Sequence, residues 1–214
     1  MSFFPSLEPL HLLRHPFYRD WMEGKLSRAS LQDYAGQYAH HVEAFPRYLG
    51  AIHSLATDPS QRRIILENLN DEEGVTHGKP HPELWAQFAR GLGAAPNVAA
   101  RDAIQNVVET FFAAARSSFH EGLGALYAYE AQVPEIAASK IEGLRERYGI
   151  TDLATTAFFE AHRGADLVHR AAVEKILESL PAKEKAEAHV AAERAARSLW
   201  DFLSEVHARA ALAA

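Results

Sequence analysis

The stretch Phe158-Phe159-Glu160-Ala161-His162-Arg163-Gly164-Ala165-Asp166-Leu167-Val168-His169 puts His162, Asp166 and His169 at i, i+4 and i+7. At about 100° per residue these three fall within an arc of roughly 60° on one helix face. Phe158, Phe159, Val173 and Ile176 project to the same side. Two imidazoles and a carboxylate therefore share the apolar face of a helix, and buried charge is costly unless it is paired or bound to a metal.

Working outward, the pattern is helical almost throughout. Alanine, leucine, glutamate and arginine dominate, and period-two alternation of β-branched residues is nearly absent. A first helix is expected over Pro9–Met22, with a break at His15-Pro16 because proline disfavours helix at the preceding residue. Ser27 or Ser30 caps a long helix ending near Ala56, whose stripe holds Leu31, Tyr34, Tyr38, His41, Phe45 and Leu49. A short helix from Ser60 runs to the acidic Asp71-Glu72-Glu73, and Gly74–Pro80 breaks it. His81-Pro82 opens the next helix, which Gly91-Leu92-Gly93 ends. Further helices are expected over Val98–Ser118, over Gly122–Tyr148 with a kink at Pro134, over Asp152–Leu180, and over Lys183–Ala208. No repeat, linker or composition shift marks a boundary, so one all-α domain over 1–214 is expected.

Composition excludes several function classes. The chain has 214 residues, 48% hydrophobic and 23% charged, which is ordinary globular composition. A net charge of −6 argues against a general nucleic-acid or anionic-membrane binder. Without cysteine there is no disulfide, thiolate catalysis or Cys-held zinc or iron–sulfur cluster. No signal-peptide pattern and no membrane-length apolar run is visible, which fits a cytoplasmic protein.

Helical-bundle metal pairs usually take about six ligands from several helices. Glu130 supplies a further apolar-face carboxylate, in the stripe Leu126, Glu130, Val133, Ala137, Ile141, Leu144. Glu72 or Glu73 ends the helix that packs Ile65 and Leu69, and His81 begins the next. Such an N/O set without sulfur suits iron or manganese and tolerates zinc. Each piece also has a plainer reading. The His-x3-Asp-x2-His face can be a hydrogen-bonded patch, Glu130 a partner of Arg145 or Arg147, and the acidic run a solvated helix end. His81 can cap its helix, and Tyr34, Tyr38 and His41 can be an ordinary core stripe.

Several longer motifs carry a resemblance. Tyr34-x3-Tyr38-Ala39-His40-His41-Val42-Glu43-Ala44-Phe45-Pro46 and Asn68-Leu69-Asn70-Asp71-Glu72-Glu73, followed by His81-Pro82-Glu83-Leu84-Trp85, resemble the TenA/PqqC group of heme-oxygenase-like proteins. Leu126-Tyr127-Ala128-Tyr129-Glu130-x-Gln132-Val133-Pro134 and Glu160-Ala161-His162-x3-Asp166-x2-His169 are similar to its CADD branch (Chlamydia protein associating with death domains). The match runs from about Leu10 to Phe202.

The resemblance implies a seven-helix bundle, homodimeric, holding two metal ions (Fe/Fe or Fe/Mn) on Glu72, His81, Glu130, His162, Asp166 and His169. It implies oxygen-dependent, single-turnover formation of para-aminobenzoate for folate biosynthesis, with an external reductant. In that chemistry Tyr18 would give the aromatic ring and Lys140 the amino group, with Tyr34 and Tyr129 as further site tyrosines. Lys140 is ten residues beyond Glu130, about 15 Å along an ideal helix, so a distortion near Pro134 has to bring it back. Two departures stand out. The segment between Glu72 and His81 is longer than in the relative, which makes Glu73 and His77 competing ligands, and Phe158 replaces a site tyrosine. Death-receptor association does not transfer with a fold. The competing readings are a related di-iron oxidase or oxygenase acting on a small molecule, a metal-free PqqC-like oxidase, and a scaffold protein with a vestigial core.

Overall fold

The computed structural model of the chain describes residues 3–75 and 78–212, and only the backbone of 163–168. Two short 3-10 turns, Pro5–Leu10 and Leu12–Arg14, lead into α1 (Pro16–Glu23), α2 (Arg28–Leu55), α3 (Pro59–Glu72), α4 (His81–Leu92) and α5 (Asp102–Ser117). They are followed by α6 (Phe119–Glu130), α7 (Val133–Tyr148), α8 (Leu153–Ser179) and α9 (Ala182–Leu212). The described residues contain no strand, and the all-α class is the one expected.

Local chemistry explains the boundaries. Ser27 caps α2 by accepting from the Ser30 N–H, Asp58 caps α3, and Gly93 and Gly149 end α4 and α7 in the left-handed region. Three boundaries differ from the sequence expectation. Residues before Pro16 form 3-10 turns in place of one helix from Pro9, and α1 starts only where Pro16 can occupy a first turn. Residues 98–101 are not helical because α2 captures their backbone: Gln37 donates to the Ala99 carbonyl and accepts from the Arg101 N–H, and the His40 ring bonds the Val98 carbonyl.

The third difference shapes the site. The expected kinked helix over Gly122–Tyr148 is two helices, capped at the start by Ser118 and broken at Ala131-Gln132. Pro134 therefore lies in the first turn of α7, where its missing N–H costs nothing. The side chain of Gln132 fills the break: its Oε1 accepts from the Leu12 N–H at 2.7 Å and its Nε2 donates to the Ala128 carbonyl at 2.7 Å.

Helix α2 lies at the centre, packed against α3, α4, α5, α6 and α9. Small residues let α6 and α9 approach closely. A Cβ on Gly124 would sit 2.0 Å from the Ala188 carbonyl oxygen, and Ala188, Ala191, Ala192, Ala195 and Ala196 are buried on α9. No helix among the described residues is long and apolar enough to cross a membrane.

Candidate metal centre and lysine chamber

Glu72, His81 and His162 converge, each buried, with one ligand atom apiece within 4.8 Å of the others. Glu72 is the last residue of α3 and His81 the first of α4, so both are supplied by adjacent helix ends. His162 comes from the middle of α8. Glu72 Oε1 is 3.0 Å from His81 Nδ1 and 3.7 Å from His162 Nε2, and the two rings are 4.3 Å apart between centroids.

The tautomer of His162 follows from its neighbour. Its Nδ1 lies 2.8 Å from the Phe158 carbonyl, which can only accept, so Nδ1 carries a proton and Nε2 is the ring nitrogen that faces Glu72. A metal-ligating histidine characteristically donates its second N–H in this way. Buried His81 Nδ1 is near Glu72 but lacks the alignment of a hydrogen bond. Burial opposes ionisation of Glu72, yet its close polar contacts with His162 and His81 hold its pKa down to about 2.

Glu130, at the end of α6, is 2% exposed. Its Oε1 accepts from Asn68 Nδ2 at 2.5 Å, while buried Oε2 has no hydrogen-bond partner. Burial, with the nearby Glu72 charge and against the Asn68 hydrogen bond, pushes its pKa up to about 8. A buried carboxylate with one orphaned oxygen beside a His–Glu–His cluster is the chemistry of a cation site, so the residues fit a metal. His169 is placed next to Asp71, its Nε2 3.1 Å from Oδ2, and is not part of the three-residue cluster. Glu73 is exposed, whereas Glu72 is buried. Asp166 and His77 lie outside the described residues.

A second buried polar region adjoins the first. The helix break before Val133 resets α7 so that Lys140, 3% exposed, points into the core. Its Nζ hydrogen-bonds the Tyr34 hydroxyl and lies 4.5 Å from the Tyr34 ring centroid and 5.5 Å from that of Tyr18. No carboxylate pairs with it among the described residues, and burial drives its pKa well below the usual lysine value. Burial likewise raises the phenol pKa values of Tyr18, Tyr34 and Tyr38. The neighbouring hydroxyls of Tyr34 and Tyr129 act against that rise at Tyr18 and Tyr38, respectively. A cavity of about 20 Å³, room for about one water, joins the two regions; Tyr18, Tyr38, Tyr129, Lys140, Phe158 and His162 all border it.

Sequence reasoning passed over three residues of this neighbourhood. Asn68 stands one turn before Glu72, a spacing that put it on the ligand face in plain view. Tyr38 had the periodicity of a core residue, and only the fold aims it at the cavity. Asp71 sat in an acidic run that reads by default as solvated.

Residues 32–201 match the model of a family described as iron-containing redox enzymes of heme-oxygenase type. The chain belongs to that family. This makes the protein an oxidoreductase with the heme-oxygenase-like fold. Within the family it is 42% identical to 4-aminobenzoate synthase of Nitrosomonas europaea, an alignment covering 94% of this chain and 87% of the relative. It is 40% identical to the 4-aminobenzoate synthase of Chlamydia pneumoniae, over 93% and 90% of the two chains. A CADD-like protein from Nostoc punctiforme superposes with a TM-score of 0.78 at 18% identity, over 97% of this chain and 98% of that one. A TenA homologue from Pseudomonas syringae gives 0.80 at 15%, over 95% and 90%. Similarity at that level speaks for the fold alone.

Proposed function

We propose that the protein forms 4-aminobenzoate, the product in the names of its relatives, in an oxygen-dependent single turnover that consumes its own Tyr18 and takes nitrogen from Lys140. The observation that carries this reading is the small cavity bordered by Tyr18 and Lys140 on one side and by His162 on the other. A pocket for an added aromatic substrate occupies roughly 300 Å³ or more. The space between ring, amine and ligand cluster is about 20 Å³, so an internal donor suits it and an added molecule does not.

Glu72, His81, Glu130 and His162 would hold two ions, iron with iron or with manganese, together with His169 and Asp166. When bound, these ions supply the capacity to reduce O₂ and so to oxidise a phenol. Every other part of the chemistry falls to the chain. Burial lowers the Lys140 pKa and so favours the neutral amine with its lone pair on nitrogen, and Tyr34 orients it beside the Tyr18 ring. Val133, Ile136, Phe158 and Phe159 line the same cavity with apolar surface and keep bulk water out of it. Consumption of Tyr18 leaves a scarred chain, so product cannot exceed one per protein. An external reductant, a homodimeric assembly and a place in folate synthesis complete the proposal.

The experiment is anaerobic loading with Fe(II), alone or with Mn(II), followed by O₂ and a reductant, using protein carrying ring-labelled tyrosine. Labelled 4-aminobenzoate at no more than one per chain, with mass lost only from the Tyr18 peptide, is expected; ¹⁵N-lysine protein should give ¹⁵N product. Unlabelled product, or an intact chain that turns over an added substrate, would overturn the reading.

A further inference from the structure

Asn68 holds one oxygen of Glu130 and thereby decides which oxygen is left for a cation. Both residues are buried, 3% and 2% exposed, and the pair is formed between α3 and the end of α6. Asn68 is one helical turn from Glu72, so a single helix carries a ligand of the cluster and the group that orients a second carboxylate. With a cation on Oε2, Glu130 would be an ionised carboxylate that only accepts, which suits the NH₂ side of Asn68 pointing at Oε1 as it does here. Oε2 of Glu130 is left buried and without a hydrogen-bond partner.

We infer that Asn68 is a positioning residue that makes Glu130 a ligand through Oε2 alone, preventing its two oxygens from sharing themselves between both ions. The inference rests on the metal-binding reading above and adds to it the denticity of one ligand and the residue that sets it. A carboxylate with both oxygens available can chelate one ion or bridge two. With Oε1 engaged by a 2.5 Å hydrogen bond, either arrangement would make that oxygen serve the amide and a cation at once, whereas Oε2 is unshared. The bond also keeps the Glu130 side chain in one rotamer before any ion arrives, as outer-sphere partners do at metal sites.

The test is a coupling cycle read by Mn(II) binding in the full-length protein, without any turnover. Asn68→Asp removes the donor at nearly constant shape and should weaken one of the two Mn(II) ions about 10- to 100-fold, the range for outer-sphere partners. It should also change the exchange-coupled EPR spectrum of the pair. Glu130→Gln should remove that same ion's tight binding. Adding Asn68→Asp to Glu130→Gln should then cost nothing further, because Asn68 acts only through Glu130. The double variant restores a hydrogen bond in the reverse direction, so it folds even where Asn68→Asp alone does not. Parental Mn(II) affinity and spectrum in Asn68→Asp would overturn the inference, and so would a further loss in the double variant. If the parent protein binds no Mn(II) or Fe(II), the metal-binding reading fails as well, an outcome distinct from failure of Asn68 alone.

Discussion

Two buried polar regions lie side by side in this bundle and solve the same electrostatic problem in opposite ways. The cluster of Glu72, His81 and His162 keeps a charge in the core by surrounding a carboxylate with imidazoles, and the Glu72 pKa falls to about 2. The Lys140 chamber surrounds an amine with phenols and aromatic faces and supplies no carboxylate among the described residues, so burial lowers the pKa of the amine unopposed. Desolvation is large in both. What differs is whether a group able to carry the opposite charge is packed against the buried one to overcome it. One region is thus prepared to bind a cation and the other to present a lone pair on nitrogen, with a cavity of about 20 Å³ between them.

The sharpest way to break this division of labour is Tyr18→Phe. It removes the phenol from the chamber and touches none of the Glu72 cluster. Product formation should fall to none while Mn(II) uptake, followed by EPR, stays at the parental level. Product at the parental stoichiometry would end the claim that Tyr18 is the ring donor. Next in size is Glu72→Gln, which leaves the shape but removes the charge shared by both imidazoles. Metal affinity should drop more than the roughly 100-fold seen for outer-sphere changes, read by equilibrium dialysis.

Gln132→Ala probes the seam between the regions. It strands the Leu12 N–H, whose acceptor is Gln132 Oε1, and frees the N-terminal turns that lead to Tyr18. A loss of about 1–3 kcal/mol in urea unfolding is expected, from one buried donor left unpaired.

The smallest effect belongs to Lys140→Met and has the opposite sign. Replacing a buried amine with a thioether of similar length should raise the stability of the metal-free protein by about 1 kcal/mol, or about 2–4 °C in Tm for a chain of this size. Its pH dependence is specific. The folded-state pKa of Lys140 lies well below its usual 10.5. Between those values the unfolded chain therefore binds a proton that the folded chain does not, and the wild type loses stability as pH falls. The advantage of Lys140→Met should accordingly grow as pH is lowered from about 10.5. An advantage independent of pH would mean that the amine is charged in the fold.

Much of this was legible in the chain. The helical period, a serine cap at Ser27 or Ser30, the glycine stop at Gly93, and the polar residues set on apolar faces follow from local spacing, because a helix repeats every 3.6 residues whatever surrounds it. Helix start points were less legible. The 98–101 segment stays out of the helix because Gln37 and His40, some sixty positions away, compete for its backbone.

The sequence by itself determined the helices, the choice of oxygen and nitrogen ligands over sulfur, and the presence of imidazoles and carboxylates on buried faces. Tertiary structure alone decided that Glu72 and not Glu73 turns inward, that Asn68 takes one oxygen of Glu130, and that the chain breaks at Ala131-Gln132 and not at Pro134. It also decided that Lys140, about 15 Å beyond Glu130 on an unbroken helix, faces Tyr18 in the core. The physical reason is one of range. Helix periodicity is set by neighbours within four residues, whereas the protonation, partner and direction of a buried polar group are set by whichever distant side chain the packing brings against it.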